Sequence, residues 1–248
     1  EFLKLRNLKY VCVNLLAFPP DDPQVSIEGI EFKDFPKEMA ALKKQFTEIR
    51  RKHPHLKTMI HIAYSLYATN KPNETYPDSR AIDAEGKQRV YGGESYYQKP
   101  TLFSADRIKQ GWRWWLYYPT LDNSFGRALL ESVDTLVDEL GCSGAFVDGL
   151  MGTYAGEFSY DRWDGHSADI DPETKMIKRK GCFTFLASAD CLVKFVSKLE
   201  SKGAVVFANG GIATRRFAKN KIICNGEIHE SPYGHLWPTP FCLGDPAA

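Results

Sequence analysis

The stretch GAFVDGLMGTYAGEFSYDRWDGHSADID, Gly144 to Asp171, decides how the chain is read. Ala145, Phe146 and Val147 form an apolar run of the kind that fills a buried strand. The run stops on a carboxylate, Asp148, followed by Gly149. A long segment dense in acids and aromatics comes next. In α/β barrels the strands open at their C-terminal ends into the loops that build the active site. The stretch therefore marks the mouth of a site, and the rest of the chain supplies scaffold and further walls.

Upstream, Tyr10 to Phe18 (YVCVNLLAF) is a β-rich run closed by Pro19 and Pro20. Pro36 opens a helix that carries Met39, Leu42, Phe46 and Ile49 at three- and four-residue spacing on one face. Leu56 to Tyr67 reads as a second strand, apolar at its centre on both faces, which suits a parallel sheet covered by helices. Residues 69 to 110 are irregular and rich in Tyr, Gly, Pro and charge. Their aromatics (Tyr91, Tyr96, Tyr97, Phe103) make them an expected lid or subsite wall. Trp112 to Pro119 reads as the third strand. Asp122 or Asn123 caps the next helix, whose stripe is Phe125, Leu129, Val133, Leu136 and Leu140, with Gly141 after it.

GAFVDG is the fourth strand. Downstream, a helix from Thr184 turns Ala189, Val193, Val196 and Leu199 inward and meets Gly203. Ala204 to Ala208 is the fifth strand and ends Asn209-Gly210-Gly211; a short helix covers roughly Ala213 to Ala218. Ile222 to Gly226 is the sixth strand, ending at Glu227, and His235 to Leu243 is the seventh. Alternating strands and helices define a parallel sheet. The expected fold is an α/β (β/α)8 TIM-type barrel, with residues 1–248 as a single barrel domain. Seven strands are read where a closed barrel needs eight. The expectation is a barrel cut before its last strand, or part of a longer chain. A doubly wound sheet would carry a glycine-rich phosphate loop after an early strand, and none is present.

The net charge of +1 gives no reason to expect a nucleic acid or an anionic membrane as partner. No apolar run approaches the roughly 20 residues of a membrane span. The sequence suits a secreted or a cytoplasmic setting equally. The cysteines, six in number, include no CxxC pair and are expected to be unpaired. No GxSxG elbow is present, and no lysine lies inside an apolar strand where a Schiff base would form. No cofactor is expected. The Asp/His-rich loop has neither EF-hand spacing nor an HExxH or Cys/His zinc pattern, so no metal is expected either.

Asp148 is the first candidate catalytic residue, because alternation along the strand puts it on the same side as Phe146. Glu227 is the second, with Glu230 and Asp245 in reserve. Two carboxylates across a barrel mouth are what glycoside hydrolysis requires: one protonates the leaving oxygen, and the other attacks or activates water. In YDRWDGHSADID, the side chains of Asp161, Arg162, Asp164 and His166 suit sugar hydroxyls, and Trp163 suits a pyranose face. The plainer reading of that loop is that its acids and arginine brace it. Asn209 suits a ligand hydroxyl or the turn that follows it. Tyr117 falls between core and mouth, Trp237 offers a further platform, and His61 reads as a satisfied core histidine.

FVDG at a strand end, YDRWDGHSADIDP, FANGG and HLWPTPFCLGD together resemble uncharacterised glycoside-hydrolase-like (β/α)8 barrel proteins. The resemblance runs from about Gly144 to Asp245. It extends distantly to the α-galactosidase and α-glucosidase group of retaining enzymes. There the nucleophile is an Asp ending the fourth strand and the acid/base ends the sixth. That implies Asp148 as nucleophile and Glu227 as acid/base, although the group uses Asp for the latter and its motifs around the nucleophile differ. The expected function is cleavage of glycosidic bonds in a carbohydrate substrate. The alternative is a catalytically inactive barrel that binds glycan or serves as a scaffold in a larger assembly.

Overall fold

A computed structural model describes residues 9–13, 36–98, 105–150, 158–209, 214–227 and 242–243. The elements that organise it are β1 (Tyr10–Val13), α1 (Pro36–Lys52), β2 (Lys57–Ala63), β3 (Leu66–Thr69), β4 (Arg113–Leu116), α2 (Ser124–Asp134) and β5 (Gly144–Asp148). They continue with β6 (Phe158–Ser159), β7 (Ala168–Ile170), β8 (Ile177–Lys180), β9 (Cys182–Phe183), α3 (Thr184–Ser201), β10 (Val205–Asn209), β11 (Ile222–Glu227) and β12 (Cys242–Leu243).

Six strands form one parallel sheet in the order β1-β2-β5-β10-β11-β12, so neighbours in the sheet follow the chain direction. This is the progressive order of a barrel wall, without the reversal of a doubly wound sheet. Among the described residues the sheet is not closed on itself. Its curvature can nevertheless be read from one contact. Tyr10 of β1 and Phe207 of β10 have ring centroids 5.3 Å apart. Three strand spacings separate them, roughly 14 Å across a flat sheet. The rings meet because the sheet curls, which makes their face the concave one.

The opposite face is convex and carries the main core. Ile60, Ile62, Ala145, Val147, Val206 and Ala208 alternate out of three neighbouring strands into one cluster with α1, α2 and α3. The helices bury Leu42 and Phe46, then Phe125, Leu129 and Val133, then Ala189, Val196 and Leu199, as their spacing predicts; Met39, Ile49 and Val193 of the expected stripes are half-buried, and Leu192 and Phe195 are buried beside them. Leu136 and Leu140 prolong the second stripe through a π-type turn, Thr135–Glu139, that ends at Gly141 with φ of 70°. Arg50 of α1 donates to the carbonyls of Leu140 and Gly141 at 3.2 and 2.9 Å, tying the two helix ends together. Burying a stripe of such side chains is worth about 1.5–3 kcal/mol each, which is why the stripes and not local propensity place these helices.

Trp112 to Pro119 differs from its expected role. Arg113–Leu116 does not join the parallel sheet; it pairs antiparallel with β3, matching Leu66 to Leu116 and Thr69 to Arg113. The run Leu56 to Tyr67 turns after Ala63, so its far end becomes the separate strand β3. The alternating burial of β4 is that of an antiparallel strand with two unlike faces. Ala63, Leu66, Ala68, Trp114, Leu116 and Tyr118 then build a second, smaller core with Ala81, Tyr97 and Cys182. Residues 69 to 98 are folded onto it through short bridges, and the Tyr97 hydroxyl accepts from the Trp114 backbone N–H at 3.1 Å. The seventh expected strand is described only at Cys242–Leu243. Cys142, Cys182 and Cys191 are buried free thiols, which burial pushes up to about 12, 12 and 11.

Asn123, of the two expected caps, starts α2: its side chain accepts from the Gly126 N–H at 2.9 Å and donates to the Tyr118 carbonyl at 2.8 Å. Gly126 packs so closely there that an added Cβ would overlap the Thr120 carbonyl oxygen. Helix propensity alone would make Gly126→Ala stabilising by about 1 kcal/mol. Backbone cannot yield as a flexible side chain does, so overpacking wins. We expect Gly126→Ala to lose about 1–3 kcal/mol in urea unfolding; a gain would show that the 118–126 turn is looser than described.

Candidate functional site on the concave face

β5 is buried along its whole length, and it delivers Asp148 to the C-terminal end of the sheet's middle. The next residue, Gly149, has φ of 65°, a conformation that glycine adopts without the cost a side chain would bring. Asp148 is 8% exposed. Its register partner on β2 is Ala63, and two residues earlier His61 pairs with Phe146. The His61 and Phe146 rings stack with centroids 5.6 Å apart and 22° between planes. That stacking aims His61 Nε2 at Asp148 Oδ2, 3.2 Å away. An ionised carboxylate only accepts, so the pairing makes Nε2 the protonated, donating nitrogen.

His61 thus stands beside the candidate carboxylate, where the sequence alone predicts only a satisfied core histidine. The sequence signal was a polar ring in the middle of MIHIAYSLYA, in alternation with Met59 and Ala63. Its partner depended on the register of two strands far apart in the chain, which the residues alone do not disclose.

Asn209 ends β10, whose register sets Ala208 against Val147; one residue further aligns Asn209 with Asp148. Asn209 is in turn paired with Asn225 of β11, and Glu227 lies two residues beyond, opposite Leu243. The parallel strands therefore bring the backbones of Asp148, Asn209 and Glu227 to the same edge of the sheet. Tyr117 is fully buried in an aromatic group with Tyr67, Tyr76 and Phe125. Trp237, Glu230, Asp245 and Phe103 lie outside the described residues.

The acid-rich loop folds as two small antiparallel pairs, β6 with β9 and β7 with β8. Asp161 accepts from Ser159, from the Tyr118 hydroxyl at 2.7 Å and from Arg162 at 2.9 Å. Burial pushes its carboxyl up, but these donors together hold it below the usual range. Arg162 also donates to the Asp78 carbonyl at 2.9 Å and lies over the Tyr118 ring. Asp164 takes the backbone N–H groups of His166, Ser167 and Phe183 at 2.8, 2.7 and 2.9 Å, plus the Ser167 hydroxyl. Asp171 accepts from the backbone of Glu173 and Thr174, closing the β7–β8 turn. Trp163 is half exposed beneath the Lys180 ammonium, 4.0 Å from its ring centroid. His166 is exposed. Among the described residues, no group of three or more His, Cys, Asp and Glu is placed to hold a metal ion, and no helix is long and apolar enough to cross a membrane.

No protein-family model and no curated protein matches the chain. Among solved structures it is distantly similar to the α-N-acetylgalactosaminidase NagBb of Bifidobacterium bifidum. In the ligand-free form the identity is 13% over 74% of this chain and 24% of that one, with a TM-score of 0.41. In the GalNAc complex it is 11% over 84% and 28%, again at 0.41. A trehalulose synthase variant gives 15% identity over 91% of this chain and 43% of that one, at 0.41. The chain spans less than half the length of each of these proteins. Likeness at this level leaves the site to be argued from its own residues.

The loop yields a prediction with a definite sign. Burial pushes the Asp164 carboxyl up, yet the four hydrogen bonds outweigh it and hold the group down to about 2. An unfolded chain titrates near about 3.9. A depressed folded value stabilises fully above the unfolded one and is lost as pH falls through the folded one. While the loop stays folded the Asp164 carboxyl titrates with the folded value, so the Trp163 indole resonance should stay fixed from neutral pH to about 3 and move with a midpoint near about 2. Asp164→Ala should show the displaced signal already at neutral pH. A wild-type signal that already moves with a midpoint near about 4, or an Asp164→Ala signal at the wild-type position, would remove Asp164 as the loop's organiser.

Proposed function

We propose that this chain is a carbohydrate-active domain that cleaves glycosidic bonds at the C-terminal edge of its curved parallel sheet. The observation that carries the reading is Asp148. A carboxylate stands at the end of the central strand, on the concave face, with its charge oriented by a histidine and flanked by an aromatic ring. Carboxylates in that position serve substrates entering over the strand ends.

In this reading Asp148 faces the anomeric carbon. It attacks that carbon or offsets the positive charge of an oxocarbenium-like transition state, and Glu227 supplies the proton to the departing oxygen. His61 donates to Asp148 Oδ2 and so orients the carboxylate toward the sugar. Asn209, level with Asp148, suits a ring hydroxyl. Trp163 suits a sugar farther out, since its ring is half exposed.

The second reading, an inactive barrel that binds glycan or acts as a scaffold, draws support from the acid-rich loop. Asp161, Asp164 and Asp171 spend their oxygens on Ser159, Tyr118, Arg162 and nearby backbone. Such acids shape a wall more readily than they perform chemistry.

Asp148→Asn separates the two. The amide keeps the shape and removes the charge. With any glycoside the intact protein cleaves, the variant should lose roughly a thousandfold or more in kcat with little change in KM, the mark of an interaction made only in the transition state. Glu227→Gln should lose less on substrates with a good leaving group, which need little proton donation. Near-normal turnover in Asp148→Asn would make Asp148 structural. A broad glycoside panel that is bound but never cleaved would favour the inactive barrel.

A further inference from the structure

The small antiparallel unit supports an open groove of about 850 Å³, with none of its lining drawn from β1, β2, β5 or β10. One side is Trp115 and Leu116 of β4, and the other is the segment from Asp83 to Glu94. That segment turns back over β4 through Gly86, Gly92 and Gly93, all at positive φ, and is pinned by bridges from Ile82 to Gln88 and from Val90 to Trp115.

Three cationic side chains line the groove: Arg80, Lys87 and Arg89. Among the described residues none of them has a carboxylate partner. Arg80 Nη1 donates to the neutral Asn73 Oδ1 at 2.9 Å, and Arg89 Nε donates to the Phe158 carbonyl at 3.0 Å. The two acids of the lining are engaged elsewhere. Asp83 accepts the backbone N–H groups of Glu85 and Lys87 at 3.0 and 2.8 Å, and Glu94 pairs with Arg113 at 3.4 Å. Arg80 Nε and Gln88 Oε1 are buried behind the lining and make no hydrogen bond among the described residues. Tyr91 and Trp115 add half-buried ring faces, and the Trp115 ring is locked by its Nε1–H donating to the Thr69 carbonyl at 2.9 Å.

Three cations without a carboxylate partner among the described residues, the amide side chains of Asn73 and Gln88 in the same lining and rigid aromatic faces together describe one kind of ligand: it is anionic, polyhydroxylated and presents flat apolar faces. We propose that this groove binds an anionic saccharide segment, a sugar chain bearing uronate or sulfate groups. Single-stranded nucleic acid also uses cations and rings. It requires a basic stripe that tracks many phosphates, whereas this chain has a net charge of +1 and the groove has three unpaired cations. The choice of a saccharide rests on the carbohydrate reading above, but the groove needs no catalysis at Asp148.

The test is calorimetric titration of the full chain at about 50 mM salt, where counterion-linked binding is strongest. The probes are an oligogalacturonate, its carboxyl-reduced neutral counterpart, a sulfated oligosaccharide, inorganic sulfate and a single-stranded oligothymidylate. At least one of the two anionic saccharides should bind about tenfold or more tighter than the neutral sugar and inorganic sulfate. Lys87→Gln and Arg80→Gln should each weaken that binding by about tenfold with an unchanged melting temperature. Asp148→Asn should leave it intact. The proposal is overturned if neither anionic saccharide outdoes the neutral one, if inorganic sulfate matches them, if the oligothymidylate binds tighter, or if both cation variants bind as wild type does. Loss of binding in Asp148→Asn would move the ligand to the concave face and likewise refute it. Binding with the expected pattern but no cleavage of any glycoside would uphold the groove and sink the hydrolase reading alone.

Discussion

Strand β5 is buried on both faces, and the rest of the molecule follows from that constraint. Gly144 opens it so close to β10 that a side chain there would overlap the Val205 carbonyl. Ala145 and Val147 turn to the helices, while Phe146 and Asp148 turn to the concave side. A strand with neighbours on both edges and layers on both faces has no freedom to slip, since a shift of one residue would exchange Asp148 for Val147. The position of the carboxylate is thus a consequence of core packing. The helices that bury Ala145 and Val147 hold Asp148 at the edge as firmly as any contact of its own.

What the residues disclosed follows the same division. The helices were legible because their apolar stripes repeat with the helical period, and Phe125 through Leu140 is buried as its spacing requires. The central strands were legible because short runs apolar on both faces have few other uses. Trp112 to Pro119 misled because five aromatic residues look like a two-sided buried strand. In fact one face of the strand packs on the small core, and Trp115 packs partly on the main one. Aromatic bulk reports burial, but it does not report which sheet is doing the burying. His61 and Asp148 show the other limit. Each sat in a readable strand, while the contact between them is set by register across 87 residues of chain.

The acid-rich loop illustrates how composition and role part company. Asp-Gly and Asp-Pro pairs, at Asp164-Gly165 and Asp171-Pro172, are turn signals as well as a store of carboxylates. The structure uses them as turns: Asp164 gathers three backbone N–H groups and Asp171 gathers two. A carboxylate that accepts several backbone donors stays ionised and fixed, which suits a wall and disqualifies it as a proton donor near neutral pH.

The pair at the concave face does not fit that pattern. A histidine and a carboxylate, 16% and 11% exposed at their side chains, gain less from each other than two apolar residues of similar size would gain from packing there. Surrendering water around a carboxylate costs several kcal/mol before a partner returns any of it. The Phe146 ring stacked on His61 and the Tyr10–Phe207 contact show that this face is otherwise built from large rings, so the polar pair is not a default of its surroundings. Stability would be served by an apolar pair of similar volume at both positions together, whereas replacing one alone would strand the other. The same two groups make physical sense if the charge of Asp148 must be kept available and aimed. A partly desolvated carboxylate oriented by a hydrogen-bond donor interacts strongly with positive charge that develops beside it, and a solvated carboxylate on a mobile loop does not. Of the acids whose side chains are described near the strand ends, Asp148 is the one whose setting is costly for the fold and favourable for chemistry.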